Sequence, residues 1–264
     1  MMLRKLSLSL FFLPSLFFAS QVIAETPEEI GRNIFVEMDS RDMGFKDFSA
    51  RQEMILRNAS GQESRRIMDQ SVLEDNTEGD KTLIIFREPK KVRGTALLTH
   101  AHGEREDDQW LYLPKLGRVK RISGSSKAGS FLGSEFAYED LAPQEVDDYR
   151  YKYLRDENLA GAEMFVVERI PKSTDSGYTR QIMWVDKKEY RIFQADFYDR
   201  KDSHAKRLTI SNYKLYLDKY WRAHHLNMVN QTDGRSTDLI MSEYLFQENK
   251  TADDFSQASL RRAR

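Results

Sequence analysis

Between residues 48 and 246 the chain alternates apolar and polar positions with a period of two, broken at intervals by turn residues. Phe48, Ala50, Gln52, Met54 and Leu56 alternate with Ser49, Arg51, Glu53 and Arg57, and Leu208 and Ile210 alternate with Arg207, Thr209 and Ser211. Successive side chains of a strand point to opposite faces, so the pattern predicts strands with one dry and one wet face. Further strand runs lie at 83–86, 95–99, 149–154, 164–170, 182–185, 190–198, 226–229 and 239–246. About ten or eleven strands in meander order imply a large antiparallel sheet, and a sheet that wide must curl, split or close. Helices bracket it. Thr26-Pro27-Glu28-Glu29 is a capping box with proline at the first helical position, after which Ile30, Ile34, Phe35 and Met38 recur on one face. Thr251-Ala252-Asp253-Asp254 sets an N-cap and two acids ahead of Phe255 and Leu260, with Arg261, Arg262 and Arg264 closing a short C-terminal helix. Helices laid into the concave side of a curled sheet would make a half-barrel with an apolar interior, a cavity suited to an oily ligand.

The densest segment runs from Trp110 to Leu141. Trp110, Leu111, Tyr112 and Leu113 form an apolar, aromatic strand, Pro114 and Gly117 turn it, and a basic strand with Arg118, Lys120 and Arg121 follows. A glycine and serine loop from Gly124 to Ser130 carries Lys127 as its one charge and gives way to Phe131, Leu132 and Phe136, too apolar to sit in water without a partner. Trp110, Tyr112, Phe131, Phe136, Trp184 and Phe193 are the candidate contacts of a cavity or its mouth, with ordinary core packing the competing reading for each. Arg118, Lys120, Arg121 and Lys127 are the candidates for meeting anionic headgroups or an acidic partner; the competing reading is a solvated edge that discourages strand pairing.

The first residues change the setting. Arg4 and Lys5, an apolar run from Leu6 to Phe18, and Val22-Ile23-Ala24 have the layout of a secretory signal peptide cleaved after Ala24. The apolar run is shorter than the roughly 20 residues that a bilayer span requires. Residues 1–24 are thus expected to be a signal peptide and 25–264 a single exported domain, soluble in the periplasm and monomeric. No cysteine occurs, which removes disulfides, thiolate metal sites and a lipobox anchor. With 41 Lys and Arg against 42 Asp and Glu, bulk attraction to nucleic acid is not expected.

Catalytic patterns are weak. His100-Ala101-His102 puts two imidazoles on one strand face near Glu104, Glu106, Asp107 and Asp108, the material of a metal hydrolase but equally of a surface hairpin. His224-His225 points to opposite faces. Gly124-Ser125-Ser126-Lys127-Ala128-Gly129 is followed by Ser130 where a phosphate-binding loop requires lysine, and no long helix opens there. No Gly-x-Ser-x-Gly elbow occurs, and Ser134, Asp140 and a distant histidine do not define a triad. The expectation is a protein that is not an enzyme and uses no cofactor.

Trp110-Leu111-Tyr112-Leu113-Pro114, Arg118-Val119-Lys120-Arg121-Ile122, Gly129-Ser130-Phe131-Leu132-Gly133-Ser134, then Phe136 and Tyr138-Glu139-Asp140-Leu141 resemble the signature of the outer-membrane lipoprotein-sorting protein family, a LolA/LolB-like group. The resemblance implies a mainly β fold, a large curved antiparallel sheet forming an open half-barrel with an apolar cavity and a helical lid. It further implies a periplasmic carrier that holds lipid or lipidated protein, moves it toward the outer membrane, and works with an inner-membrane exporter of the RND superfamily. The missing lipobox-type cysteine departs from the anchored receptor branch and leaves a shuttle. The alternative is a non-carrier adaptor, its interior filled by its own side chains, that binds a membrane transporter through its sheet and basic strand.

Overall fold

Thr26 caps α1 (Pro27–Asp42) in the computed structural model, which describes residues 24–103 and 105–262. The Glu29 backbone N–H donates to Thr26 Oγ1 at 3.2 Å and the Thr26 N–H donates to the Glu29 carboxylate at 2.8 Å, the reciprocal bonds that the motif anticipates. The expected signal segment, Glu104 and Arg264 lie outside the described residues, save that Ala24 is the first of them.

Six strands follow as a meander: β1 (Asp47–Arg57), β2 (Glu63–Leu73), β3 (Lys81–Glu88), β4 (Ala96–His100), β5 (Asp108–Leu113) and β6 (Arg118–Ile122). A linker of residues 123–148 leads to β7 (Tyr149–Leu159), β8 (Ala162–Pro171), β9 (Tyr178–Asp186), β10 (Ile192–Asp199) and β11 (His204–Ser211). A small hairpin of β12 (Lys214–Tyr216) and β13 (Tyr220–Arg222) stands apart, and β14 (His225–Asn230) and β15 (Ser236–Phe246) return to the sheet. The thirteen strands lie in the order β6-β5-β4-β3-β2-β1-β15-β14-β11-β10-β9-β8-β7, and every pairing is antiparallel. The first and last long strands therefore meet in the middle, from Phe48 opposite Phe246 to Arg57 opposite Ser236. The two edges, β6 and β7, are consecutive in the chain.

Laid flat at a spacing of about 4.8 Å, thirteen strands would be roughly 58 Å across. Instead Met54, Phe86, Leu97, Leu111, Val185 and Met228, drawn from six separate strands, share one buried cluster with Phe35 of α1 and Phe131 of the linker. The sheet is curled, with this face concave, and it stays open because β6 does not pair with β7. Strand alternation puts Leu83, Ala96, Leu98, Trp110 and Tyr112 on the other, convex face.

Of the two α-helices among the described residues, only α1 covers the concavity. α1 crosses β7 so closely that a Cβ on Gly31 would lie 2.8 Å from the Tyr153 backbone nitrogen, an approach that glycine alone permits without displacement. The C-terminal segment begins as a 3-10 turn, Ala252–Phe255, capped by Thr251 as anticipated, and continues as α2 (Gln257–Arg262). Its Phe255 and Leu260 are buried on the convex face against Leu83, Ala96 and Leu98, so it blankets the outside of the sheet.

Candidate functional site

The later part of the signature segment, residues 130–140, lies inside the half-barrel. Ser130 and Ala137 bridge, Phe131 N–H donates to the Phe136 carbonyl at 2.8 Å, and Ser134 N–H donates to the Phe131 carbonyl at 3.0 Å. Leu132 and Gly133 both have positive φ, 50° and 83°, the backbone of a tight primed turn. Glycine supplies the second position freely; a leucine at the first is strained, and the surrounding contacts hold it there.

Those contacts reach strands from both halves of the sheet. Arg66 on β2 donates to the Leu132 carbonyl at 3.0 Å, Lys206 on β11 to the Glu135 carbonyl at 2.7 Å, and Gln109 on β5 to the Tyr138 carbonyl at 2.9 Å. Thr237 on β15 accepts from the Glu135 N–H at 3.0 Å, Asn230 on β14 donates to the Glu135 carboxylate at 3.0 Å, and Tyr178 on β9 donates to Asp140 at 3.0 Å. Phe131 is fully buried, 5.6 Å from the Phe86 ring and 5.5 Å from that of Tyr138. The segment is thus a plug, filling with its own aromatics the place that an oily ligand would take.

Of the six aromatic candidates, the structure brings two together on the concave side. Phe131 and Phe136 belong to the concave cluster, whereas Trp110 and Tyr112 lie on the convex face beneath Phe255 and Leu260. Trp184 and Phe193 pack with Met164, Val166 and Ile182 in another outer cluster. Alternation alone could not choose a face, and Trp110 and Tyr112 of β5 and Trp184 of β9 fall on the outer one. The other buried rings of the concave cluster are Phe35, Phe86, Tyr138, Tyr151, Tyr178 and Phe197, none of them among the six candidates.

The basic candidates also divide. Arg118 and Lys120 are exposed on the β6 edge, on the same face as Leu113 and Leu111 opposite them, and so border the concave side. Arg121 is bound to Asp108, and Lys127 faces Glu106 at 3.7 Å. Three cations that sequence reasoning passed over stand inside: Arg66, Arg169 and Lys206. None has a carboxylate within ion-pair distance among the described residues; Arg169, buried, donates to Gln181 at 2.6 Å and Gln144 at 2.9 Å and lies 4.2 Å from the centre of the Tyr149 ring. A readable signal existed for two of them, since Arg66 shares the parity of Met68 and Lys206 that of Leu208, charged residues on the apolar alternation.

Two cavities flank the plug. One of about 290 Å³ lies under α1, between Phe35, Met38, Tyr151, Tyr190, Tyr213 and Trp221. The other, about 570 Å³, opens between the approach to β5, the linker and the β8–β9 turn, and is polar. Burial, reinforced by repulsion from Asp148, pushes Asp107 there up to about 6; burial also raises Asp148 and Glu139. Beside it, burial would raise Asp108, but hydrogen bonds from Arg105, Arg121 and His102 outweigh it and hold that carboxyl at about 2.

The histidine pair does not converge. His100 Nε2 bonds the Phe255 carbonyl at 2.6 Å, tying down the C-terminal segment, while His102 Nε2 meets Asp108 at 3.2 Å. Among the described residues no three His, Cys, Asp or Glu side chains are grouped as metal ligands.

A family model described as an uncharacterized protein matches residues 78–262. No curated protein matches the sequence. Among solved structures, an outer membrane lipoprotein-sorting protein domain from Vibrio parahaemolyticus is 49% identical, covers 89% of this chain and 99% of its own, and superposes with a TM-score of 0.87. A DUF1329 family protein from Desulfovibrio piger is 29% identical over 89% of this chain and 100% of its own, TM-score 0.85. A LolA superfamily protein from Nitrosomonas europaea, 20% identical over 87% of this chain and 98% of its own, shares the fold with a TM-score of 0.70.

Proposed function

Since the chain belongs to the outer membrane lipoprotein-sorting family, with a LolA-like fold, we propose that it is a periplasmic carrier whose concave face takes up the acyl chains of a lipid or lipidated protein. The observation that carries this reading is how the apolar concavity is closed. No strand seals it; one helix and one plug do, and the plug is tied to the sheet through backbone carbonyls and a few side-chain bonds. Burying an acyl chain gains about 0.8 kcal/mol per methylene removed from water. A chain of a dozen or so methylenes therefore competes with the apolar contacts of Phe131, Phe136 and Tyr138, and loading exchanges one set of apolar contacts for another.

In this reading α1 is the lid. Its apolar side rests on Tyr151, with Phe35 and Tyr151 ring centroids 4.7 Å apart, and its polar side is held by exposed pairs such as Arg32 with Asp147 at 2.8 Å, a class of contact worth at most about 1 kcal/mol. Arg118 and Lys120 stand where an anionic headgroup or an acidic transporter surface would arrive. Phe131 and Phe136 are the signature residues that cargo displaces; Trp110, Tyr112, Trp184 and Phe193 pack the convex side, away from the cargo, and the partner in this reading is an RND-type inner-membrane exporter. Residues 1–24 act as the export signal, the remainder as one monomeric domain without catalytic activity.

A second reading is favoured by one observation, the complete burial of Phe131. A permanently plugged half-barrel would be a transporter adaptor. Native and denaturing mass spectrometry of protein purified from its own periplasm without detergent separates the two. A carrier retains lipid or acylated peptide at near-stoichiometric level; an empty protein that also rejects fluorescent acyl probes sinks the carrier reading and leaves the adaptor.

A further inference from the structure

Arg169 sits in β8 between Tyr151 of β7 and Gln181 of β9, on the concave side and only 6% exposed. A charge so deeply buried is ordinarily paired, yet among the described residues no carboxylate lies within ion-pair distance of it. Of the five N–H groups of a guanidinium, the one on Nε donates to Gln181 Oε1 at 2.6 Å and one on Nη2 donates to Gln144 Oε1 at 2.9 Å. Both on Nη1 are left over. Two buried side-chain atoms among the described residues are unbonded and sealed from solvent, Gln109 Oε1 and His204 Nε2; Arg169 Nη1 is unbonded but not sealed. The open space that Arg169 borders is the cavity of about 290 Å³ under α1.

The walls of that cavity suit an amphiphile. The guanidinium carbon lies 4.2 Å from the centre of the Tyr149 ring and 5.9 Å from that of Phe35, and Phe35, Met38, Val146 and Tyr151 carry the apolar surface into the concave cluster. The other cations of the wall are engaged: Arg191 with Asp186 at 2.8 Å, Arg41 with Glu37 at 2.7 Å, Arg222 with Asp42, and Lys219 with the Met43 carbonyl. Of the acids, Asp42 is held by Arg222 and Glu189 accepts from Trp221 Nε1 at 3.3 Å. Asp39 also borders the neighbouring acidic cavity, and burial, then Asp42 and Glu74, push it up and so weaken its charge. Burial raises Asp140 as well, with Arg169 among the groups opposing it, but that carboxylate takes its bonds from the Ala137 N–H at 2.6 Å and the Tyr178 hydroxyl at 3.0 Å.

We propose that the cavity under α1 takes the carboxylate of a fatty acid, which accepts hydrogen bonds from Arg169 Nη1 while its aliphatic chain lies against Phe35, Met38 and Tyr151. One negative charge matches the one guanidinium that lacks a carboxylate, a balance that a doubly charged phosphate would overshoot. The contact is a charge-assisted hydrogen bond, made by a cation whose removal from water is already complete. The inference rests on the carrier reading and names the polar end of the cargo.

The test is titration calorimetry of the delipidated full chain with decanoate and, as its uncharged counterpart, decanol. Decanoate binds saturably and at least about tenfold more tightly than decanol, roughly one charge-assisted hydrogen bond. Arg169→Gln brings the two within about twofold of each other and leaves the melting temperature unchanged or higher, since a buried charge without a counter-charge has gone; a merely structural Arg169 would lower the melting temperature and weaken both ligands alike. A second measurement leaves Arg169 in place and so decides the matter even where that variant folds poorly. The bromine of α-bromodecanoate sits beside the carboxyl and quenches the emission of Trp221 on the same cavity wall, and Trp221→Phe removes that quenching. Equal affinity for decanoate and decanol, a preference that survives Arg169→Gln, or quenching that survives Trp221→Phe overturns the proposal and leaves the carrier reading standing. Failure of both ligands to bind overturns both.

Discussion

Replacing Gly31 by alanine sets two physical effects against each other. Helix propensity alone makes alanine better than glycine in a helix interior by about 1 kcal/mol. The packing says the reverse, because the new Cβ would sit 2.8 Å from Tyr153 N and 3.0 Å from both Lys152 C and Lys152 N. These are main-chain atoms of β7, held by pairing with β8 from Tyr149 opposite Pro171 to Leu159 opposite Ala162, and they cannot swing aside as a side chain would. Ordinary carbon contacts lie near 3.5–4.0 Å, so α1 has to lift by roughly 0.5–1 Å. Overpacking of this kind costs about 1–3 kcal/mol. Set against the propensity gain, a net loss of about 1 kcal/mol is expected, and the melting temperature should fall by about 2–4 °C for a chain of this size. Thermal unfolding by circular dichroism measures the net effect. Hydrogen exchange locates it: residues 27–42 should lose protection while β1 keeps its own. A Gly31→Ala protein that melts higher than wild type refutes the close-approach argument.

Three further outcomes are expected. Phe131→Ala should cost about 3–5 kcal/mol as a large buried ring is removed; in a carrier it should also raise affinity for a fluorescent acyl probe, and unchanged binding would count against displacement of the plug. Leu260→Ala should destabilise by about 2–5 kcal/mol and move the emission of Trp110, on the same convex cluster, to longer wavelength; an unmoved spectrum would mean that α2 does not shield that face. Burial first, then repulsion from Asp80, Asp39, Asp148 and Asp107, pushes Glu145 up to about 7. A carboxyl raised in the folded state stabilises fully below its unfolded value of about 4.3, and the contribution is lost as pH rises through the folded one. Glu145→Gln should therefore be more stable than wild type above about pH 7 and lose that advantage fully only below about pH 4, whereas an advantage that grows on acidification would reverse the assignment. The difference between the two proteins is the quantity to read, because His100 and His224, held low by burial, respond to acid in the opposite direction.

Local signals in the sequence were legible where a short motif suffices. Thr26 and Thr251 both cap as their neighbours imply, and the alternation of β1 gives buried Ala50, Gln52 and Met54 around exposed Arg51. β2 escaped notice because Glu63, Ser64, Arg65, Arg66, Asp69 and Gln70 hide the apolar residues among them, and β12 and β13 are only three residues each. The omission of β2 makes the sheet wider than its apolar runs suggest, whereas β12 and β13 pair only with each other. The face of each strand was harder still. Both sides of β5 are covered, by the plug and by the C-terminal segment, so Trp110 and Leu111 are equally apolar for different reasons. That a glycine-rich loop should fold inward also escapes composition, since its burial rests on hydrogen bonds donated by Arg66 and Lys206 and one accepted by Thr237, residues that precede or follow it by dozens of positions.

The pairing of β1 with β15 dictates an order of events as the chain acquires its structure. On one side Phe48 pairs with Val72 of β2, but on the other its partner is Phe246, so the first six strands can assemble as a meander long before the strand that completes them exists. Until then β1 is an open edge beside an apolar face, the arrangement most prone to recruit a second molecule. Closing so long a loop is slow, and the last long strand to emerge is the one that joins the two half-sheets. A chain interrupted before Ser236 would keep both halves and lack the seam between them, with aggregation rather than a smaller folded protein as its fate.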